Sequence, residues 1–184
     1  MLSRDQALEL VKSQNPEPHL VNHAVQTEAI MRSLALKLGQ DQELWGVTGL
    51  LHDLDYPRTK DNPARHGLDA AEMLQGKMPE DALHAIMAHN EEYTQVAAAS
   101  TFDYALRAAE SATGLIATAA LVRPTRMEGM QPKSLTKKMK DKAFAAAVSR
   151  ERIRECQKLD MELAEFFQLA IPAMAEVASQ TGIG

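Results

Sequence analysis

The sequence predicts an all-α fold in a single domain. Apolar residues recur at three- and four-residue spacing through almost the whole chain, the period of a helix with one buried face. The breaks between these stretches carry Ser, Asp, Gly and Pro where helices start and stop. No stretch of useful length alternates apolar and polar residues, and there is no internal repeat or low-complexity segment.

Taken in order, Ser3-x-x-Gln6 is a capping box ahead of Ala7, Leu8, Leu10 and Val11, and Asn15-Pro16-Glu17-Pro18 ends that first helix. From His19 to Leu38, the residues Leu20, His23, Thr27, Ile30, Met31, Leu34 and Leu38 share a face, with Gly39 as C-cap. Asp41 caps a third helix, whose Leu44, Trp45, Val47, Leu50 and Leu51 run into His52-Asp53. A loop from Tyr56 to Arg65 follows, and His66-Gly67 opens a helix that Gly76 ends. Pro79 sits in the first turn of the next, which carries Leu83, Ile86 and Met87 to His89-Asn90-Glu91-Glu92, with His84 expected at the surface. Thr101-Phe102-Asp103 starts the longest apolar segment, which Arg123-Pro124 stops. Beyond the loop Met127 to Gln131, Ser134 is expected to cap a basic helix, Leu135 to Lys142, leading into Ala143 to Val148. Ser149 caps another, Arg150 to Leu159. Asp160 is expected to cap the last helix, with Leu163, Phe166, Phe167, Ala170 and Met174 as its core stripe and Pro172 as a kink. The count is about eight or nine helices.

A chain of 184 residues suits one domain, which buries roughly 70% of its unfolded surface and needs no structural metal for stability. Any metal is then free to serve chemistry. The single Cys156 has no internal partner, so a reducing cytoplasm is the simplest setting. The N-terminus has no apolar signal core, and no apolar run approaches the length that crosses a membrane. Net charge is −5, spread unevenly: Arg123 to Lys158 holds eleven Lys and Arg against four Asp and Glu, a local +7 that leaves −12 for the rest. That segment is either a solvated helix surface or a wall that attracts phosphate. Aromatic residues are 4% of the chain and do not interleave with it, which argues against a nucleic-acid polymer as partner.

Several residues depart from this pattern. The stretch Gly49-Leu50-Leu51-His52-Asp53-Leu54-Asp55-Tyr56 ends an apolar helix in an imidazole and two carboxylates, then in a proline at 57. Neutral nitrogen and anionic oxygen side by side suit a divalent cation, although the dipeptide alone is a weak motif. His23 lies on an apolar stripe, where the alternative is a hydrogen-bonded core histidine. His66 and His89 sit at helix ends, as ligands or as ordinary polar residues. Glu110 shares a face with Leu106, Thr113 and Ala117, so its carboxylate requires a metal or an ionic partner. Arg107 is in range by spacing but lies toward the polar side. A helical bundle with inward His and carboxylate side chains is a known way to build a one- or two-metal site.

In order and spacing, His23, His52-Asp53 and the carboxylate at 110 resemble the HD superfamily of metal-dependent phosphohydrolases. The HDIG-type subgroup is similar at further stretches: Leu50 to Tyr56, His66-Gly67, Ile86 to Glu91, Ala109 to Ile116, Ala120 to Pro124, Pro132 to Ser134 and Lys140 to Lys142. The resemblance runs from about residue 20 to 178. It implies an HD-type bundle with its metal core at about 19–125 and the basic and C-terminal helices, 126–184, packed on it. It also implies that His23, His52, Asp53 and Glu110 bind one divalent ion, and that His66 and His89 hold a second with Asp53 bridging. Glu110 stands where the family pattern has Asp, one methylene shorter, and Asn90 stands where many members have a further His.

The implied activity is hydrolysis of a phosphate ester, of a nucleotide or small phosphorylated metabolite, by a metal-activated water. Mn, Fe, Co, Ni, Zn or Mg all suit such ligands. Asp53, Asp55 and Lys60 are the candidates for the chemistry: Asp53 as ligand or bridge, Asp55 orienting a water or the histidines or else capping a helix. Arg58 and Lys60 are candidates for stabilising phosphate charge, and Arg123, Lys133 and Lys137 for longer-range contacts, against the alternative that all five are surface cations. A second reading is a degenerate HD module that binds metal and a phosphorylated ligand without turnover. Oxidation at a di-iron site, as in some relatives, is a third.

Overall fold

In the computed structural model, which describes residues 1–184, every regular element is a helix. Helix α1 (Arg4–Ser13) starts at the expected box: the Ser3 hydroxyl accepts from Gln6 N–H, and the Gln6 side chain accepts from Ser3 N–H. Helix α2 (Pro18–Leu38) opens on proline, where no intrahelical N–H partner is needed, and closes at Gly39 with φ +66°. Asp41 accepts from the N–H groups of Glu43 and Leu44 to start α3 (Gln42–Leu51). A single turn, α4 (Tyr56–Thr59), precedes α5 (Leu68–Leu74) and α6 (Glu80–Ala88), and a second single turn is α7 (Glu91–Thr94). Helix α8 (Thr101–Leu121) begins at another capping box, Ser100 with Asp103. The chain ends with α9 (Pro132–Lys138), α10 (Arg150–Arg154), a 3₁₀ turn (Glu155–Leu159) and α11 (Leu163–Glu176). Eight helices, all but α4, α7 and α10, have seven or more residues, in line with the expected count.

The long helices α2 and α8 carry the packing. Helix α2 lies against α3, α8 and α11, and α8 against α6, α9, α10 and the 3₁₀ turn. One apolar cluster runs from Ala7 to Ile183 and fully buries Ile30, Leu51, Ile86, Leu115, Phe166 and Phe167. Each such side chain contributes roughly 1.5–3 kcal/mol. Helices α2 and α3 come especially close at Gly49, where an added Cβ would lie 2.9 Å from Met31 Cγ and 3.1 Å from the Thr27 carbonyl oxygen. This approach sets the C-terminal end of α3, and hence His52, against His23. No helix is long and apolar enough to cross a membrane.

Four local expectations change. Helix α9 starts at Gln131, not Ser134, because Pro132 presets the first-turn backbone. It also ends at Lys138, and residues 141–148 are turns. The buried Arg150 guanidinium gathers this segment, donating to the carbonyls of Asp141, Phe144, Ala145 and Val148, which all turn toward it. Asp160 does not cap α11: with φ +54° it terminates the 3₁₀ turn, and Glu162 is the N-cap. Arg107 is not on a polar face. It is 8% exposed and ties α8 to its neighbours through Glu155 at 2.7 and 2.8 Å, Glu91, and the Ala88 carbonyl at 3.0 Å.

Candidate metal centre

His23 comes from the start of α2, His52 and Asp53 from the end of α3, His66 from the turn before α5, and His89 from the end of α6. Their Nε2 atoms converge on one carboxylate. Asp53 Oδ1 lies 3.3 Å from His52 Nε2, 3.3 Å from His66 Nε2 and 3.5 Å from His89 Nε2, and Oδ2 lies 3.6 Å from His23 Nε2. The nitrogens also face each other in pairs, His23 with His52 at 3.2 Å and His66 with His89 at 3.0 Å. Two groups result, His23–His52–Asp53 and Asp53–His66–His89, which share Asp53.

The outer nitrogen of every ring is held by an acceptor. His52 Nδ1 meets the Gly49 carbonyl at 2.8 Å, His89 Nδ1 the Ile86 carbonyl, and His66 Nδ1 the Asp55 carboxylate at 2.9 Å. His23 Nδ1 meets Thr113 Oγ1 at 2.8 Å, and because that hydroxyl donates to the Glu110 carbonyl, it accepts from the ring. Each neutral ring therefore carries its proton on Nδ1 and turns an Nε2 lone pair inward. Four lone pairs and a carboxylate around one point repel unless a cation lies between them.

The titration behaviour follows. Burial, with the charge of His52, lowers the pKa of His23. Burial also works to lower His52, but the charge and hydrogen bond of Asp53 outweigh it and the pKa rises. In the second pair, burial and the neighbouring His66 lower His89, against Asp53. For His66, burial is outweighed by hydrogen bonds and charges from Asp53 and Asp55, and the pKa is pushed up to about 10. Each facing pair thus has one ring raised and one lowered: the carboxylates favour charge on His52 and His66, and burial disfavours it on His23 and His89. Burial pushes the Asp53 carboxyl up, but His52, His66 and His89 together hold it well below the usual range.

The donor set fits a divalent cation. Four imidazole nitrogens and a carboxylate are its ordinary ligands, and ligand atoms about 2.1 Å from one ion stand roughly 3.0–3.4 Å apart. Outer nitrogens fixed by carbonyl, carboxylate and hydroxyl oxygens are what orients metal-binding histidines.

Asp55 is fully buried and does not face this centre. Its Oδ1 accepts from His66 Nδ1–H, and its Oδ2 accepts from the N–H groups of Gly67 at 2.7 Å and Ala70 at 3.1 Å. It orients His66 and caps the start of α5 at once, two of the roles the sequence left open for it. Gly67 is required beside it: φ is +89°, and a Cβ would lie 2.9 Å from the Ile86 carbonyl oxygen. Asn90 donates to the carbonyls of Pro63 and His66, and so pins the loop that carries His66.

Glu110 lies outside both groups. Its Oε1 accepts from the Ser111 hydroxyl at 2.7 Å and faces Arg152 Nη1 at 3.4 Å, so a cation from α10 satisfies the charge expected to bind metal. It remains near enough to raise His23 and His52 by its charge. None of the basic candidates forms an ion pair with Asp53, Asp55 or Glu110. The Arg58 guanidinium turns to Gln14 Oε1 at 2.9 Å and to the Met73 sulfur. Lys60 is exposed at the end of α4. Arg123 donates to Thr125 and Glu128 beyond the far end of α8, about 20 Å along the helix from Glu110. Lys133 and Lys137 are exposed on α9, where Lys137 lines a hollow with Ser134, Lys138, Lys140 and Asp141 and no histidine. Sequence reasoning missed Thr113 and Arg152. The spacing of Thr113 with Glu110 was a usable signal, but nothing local distinguished Arg152 within its basic segment.

A family model described as HD domain matches residues 20–138, which contain all six expected ligand positions. Searches of curated proteins and of solved structures find no match.

Proposed function

The chain belongs to the HD domain family, and we propose that it is a metal-dependent phosphohydrolase that cleaves a phosphate ester of a nucleotide or small phosphorylated metabolite. The observation that carries this reading is the inward set of four Nε2 atoms around Asp53, with every Nδ1 facing an acceptor outside the centre. In the proposal His23, His52 and Asp53 hold one ion, and Asp53, His66 and His89 a second. Divalent ions held there supply a water acidified toward neutrality and neutralise phosphate oxygens.

The chain's own residues prepare that chemistry. Asp53 stays ionised under its three flanking imidazoles and offers both oxygens to the centre. Asp55, Thr113 and the Gly49 and Ile86 carbonyls favour the Nδ1 proton, so each ring, once neutral, offers its Nε2 lone pair to a metal. Overall, a water oxygen forms a bond to phosphorus, the ester P–O bond breaks, and the water's protons are shared between the phosphate and the leaving alcohol.

The test is metal analysis of the purified protein, followed by assay of phosphomonoesters, phosphodiesters and nucleotides with Mn²⁺, Co²⁺, Ni²⁺ or Mg²⁺. Metal-dependent hydrolysis that Asp53→Ala abolishes supports the reading, and no bound metal after reconstitution defeats it. A second reading, a module that binds metal and a phosphorylated ligand without turnover, is favoured by the engagement of Glu110 with Ser111 and Arg152. Bound metal with no turnover of any ester would select it.

A further inference from the structure

Arg152 projects from α10, outside the segment that matches the family, to Glu110, whose charge acts on His23 and His52. Its side chain is only 19% exposed. Nη1 lies 3.4 Å from Glu110 Oε1, and Nη2 lies 3.8 Å from Glu92 Oε1. Glu92 is three residues past His89, and Glu110 is three residues before Thr113, whose hydroxyl holds His23. The guanidinium therefore stands between Glu92 and Glu110, each three residues in sequence from a group of the histidine centre or its support.

Little of its hydrogen-bonding capacity is taken up by protein groups. A guanidinium has five N–H donors, and Arg152 makes one long bond with them. Arg107 and Arg150, by contrast, are engaged by two glutamates and a carbonyl and by four carbonyls respectively. Its remaining donors are not sealed in the core, so they can exchange water for the oxygens of a ligand. The surroundings are anionic, with Glu92 and Glu110 beside the guanidinium, so an incoming phosphate needs a counter-charge there. Arg152 does not belong to the general basic surface either. Arg150, Glu151 and Arg154 line a separate hollow with Lys140 and Lys142, and Arg152 leaves α10 on the opposite side.

We propose that Arg152 binds the phosphate group of the substrate at the metal centre, taking two of its oxygens with the guanidinium fork. This rests on the phosphohydrolase reading above and adds to it the residue that positions the ester. A planar fork matches phosphate oxygens two at a time, which an ammonium cannot do. On ligand entry the guanidinium exchanges its distant carboxylates for phosphate oxygens, and Glu110 keeps its Ser111 bond.

The experiment measures inorganic phosphate binding to the metal-loaded full-length protein by calorimetry, for wild type, Arg152→Ala and Arg152→Lys. Metal content and thermal melting are recorded for each. Wild type is expected to bind phosphate, Arg152→Ala at least about tenfold more weakly with unchanged metal content, and Arg152→Lys, which keeps the charge beside Glu110, at an intermediate level. Added guanidinium ion should restore part of the affinity of Arg152→Ala and none of wild type, a readout that a structural role would not produce. Equal affinity in wild type and either variant overturns the proposal. If Arg152→Ala fails to fold, the Lys variant decides: unchanged affinity there overturns it, and a several-fold loss supports it. Wild type that holds metal yet neither binds phosphate nor hydrolyses any ester defeats the phosphohydrolase reading itself.

Discussion

Asp55 Oδ1 lies 2.9 Å from His66 Nδ1, and the other oxygen of the same buried carboxylate receives the N–H groups that begin α5. One side chain thus sets both the direction of an imidazole and the start of the helix behind it. Asp55→Asn replaces an acceptor with an N–H₂ that faces a donor. We expect about 10- to 100-fold weaker metal binding in the His66–His89 half, with the His23–His52 half retained. A loss of about 1–3 kcal/mol in stability should accompany it. Metal titration with elemental analysis, together with urea unfolding, measures both.

Glu110 is held by Ser111 and Arg152 and stands apart from the converging nitrogens. Glu110→Ala should therefore weaken metal binding far less than His52→Ala. Parallel titrations with Mn²⁺ or Co²⁺ compare the two. Equal losses would return Glu110 to the ligand set.

His66 gives the metal-free protein a defined pH response. Its pKa rises from 6.5 to about 10 on folding, so the stability it contributes is fully present below about pH 6.5 and lost as pH rises through 10. Metal has the opposite dependence, because the ion must displace that proton. Chelated protein should melt at lower temperature at pH 10 than at pH 7, after allowance for other titrating groups by comparison with His66→Gln. Calorimetry at pH 7.5 in two buffers of different ionisation enthalpy should show proton release on metal binding.

Arg107 joins α6, α7, α8 and the 3₁₀ turn through groups that would be stranded without it. Arg107→Met leaves the Glu155 carboxylate partly buried and unpaired. The expected loss is about 3 kcal/mol, read as a lower urea midpoint with an unchanged slope.

Cys156 is fully buried, and burial pushes its thiol up to about 11. Native protein at pH 8 should resist iodoacetamide, and unfolded protein should react fully, as followed by mass spectrometry.

Helix positions were legible in the sequence wherever a local rule governed them. The capping box at Ser3, the Asp41 cap, the Gly39 stop and the inward stripe of α2 depend on residues within a turn or two of each other, and all are found as expected. The convergence of His52, Asp53, His66 and His89 was anticipated because each sits at a helix end or on an apolar face, anomalies that a linear pattern exposes. Contacts across long separations decided the rest. Arg150 gathers the carbonyls of the turns at 141–148, Arg152 crosses 42 residues to reach Glu110, and Arg107 crosses 48 to reach Glu155. A carboxylate on a buried stripe announces that it needs a partner, but it does not say which one. The partner is whichever cation the packing of α10 on α8 brings within reach, and only the tertiary structure decides that.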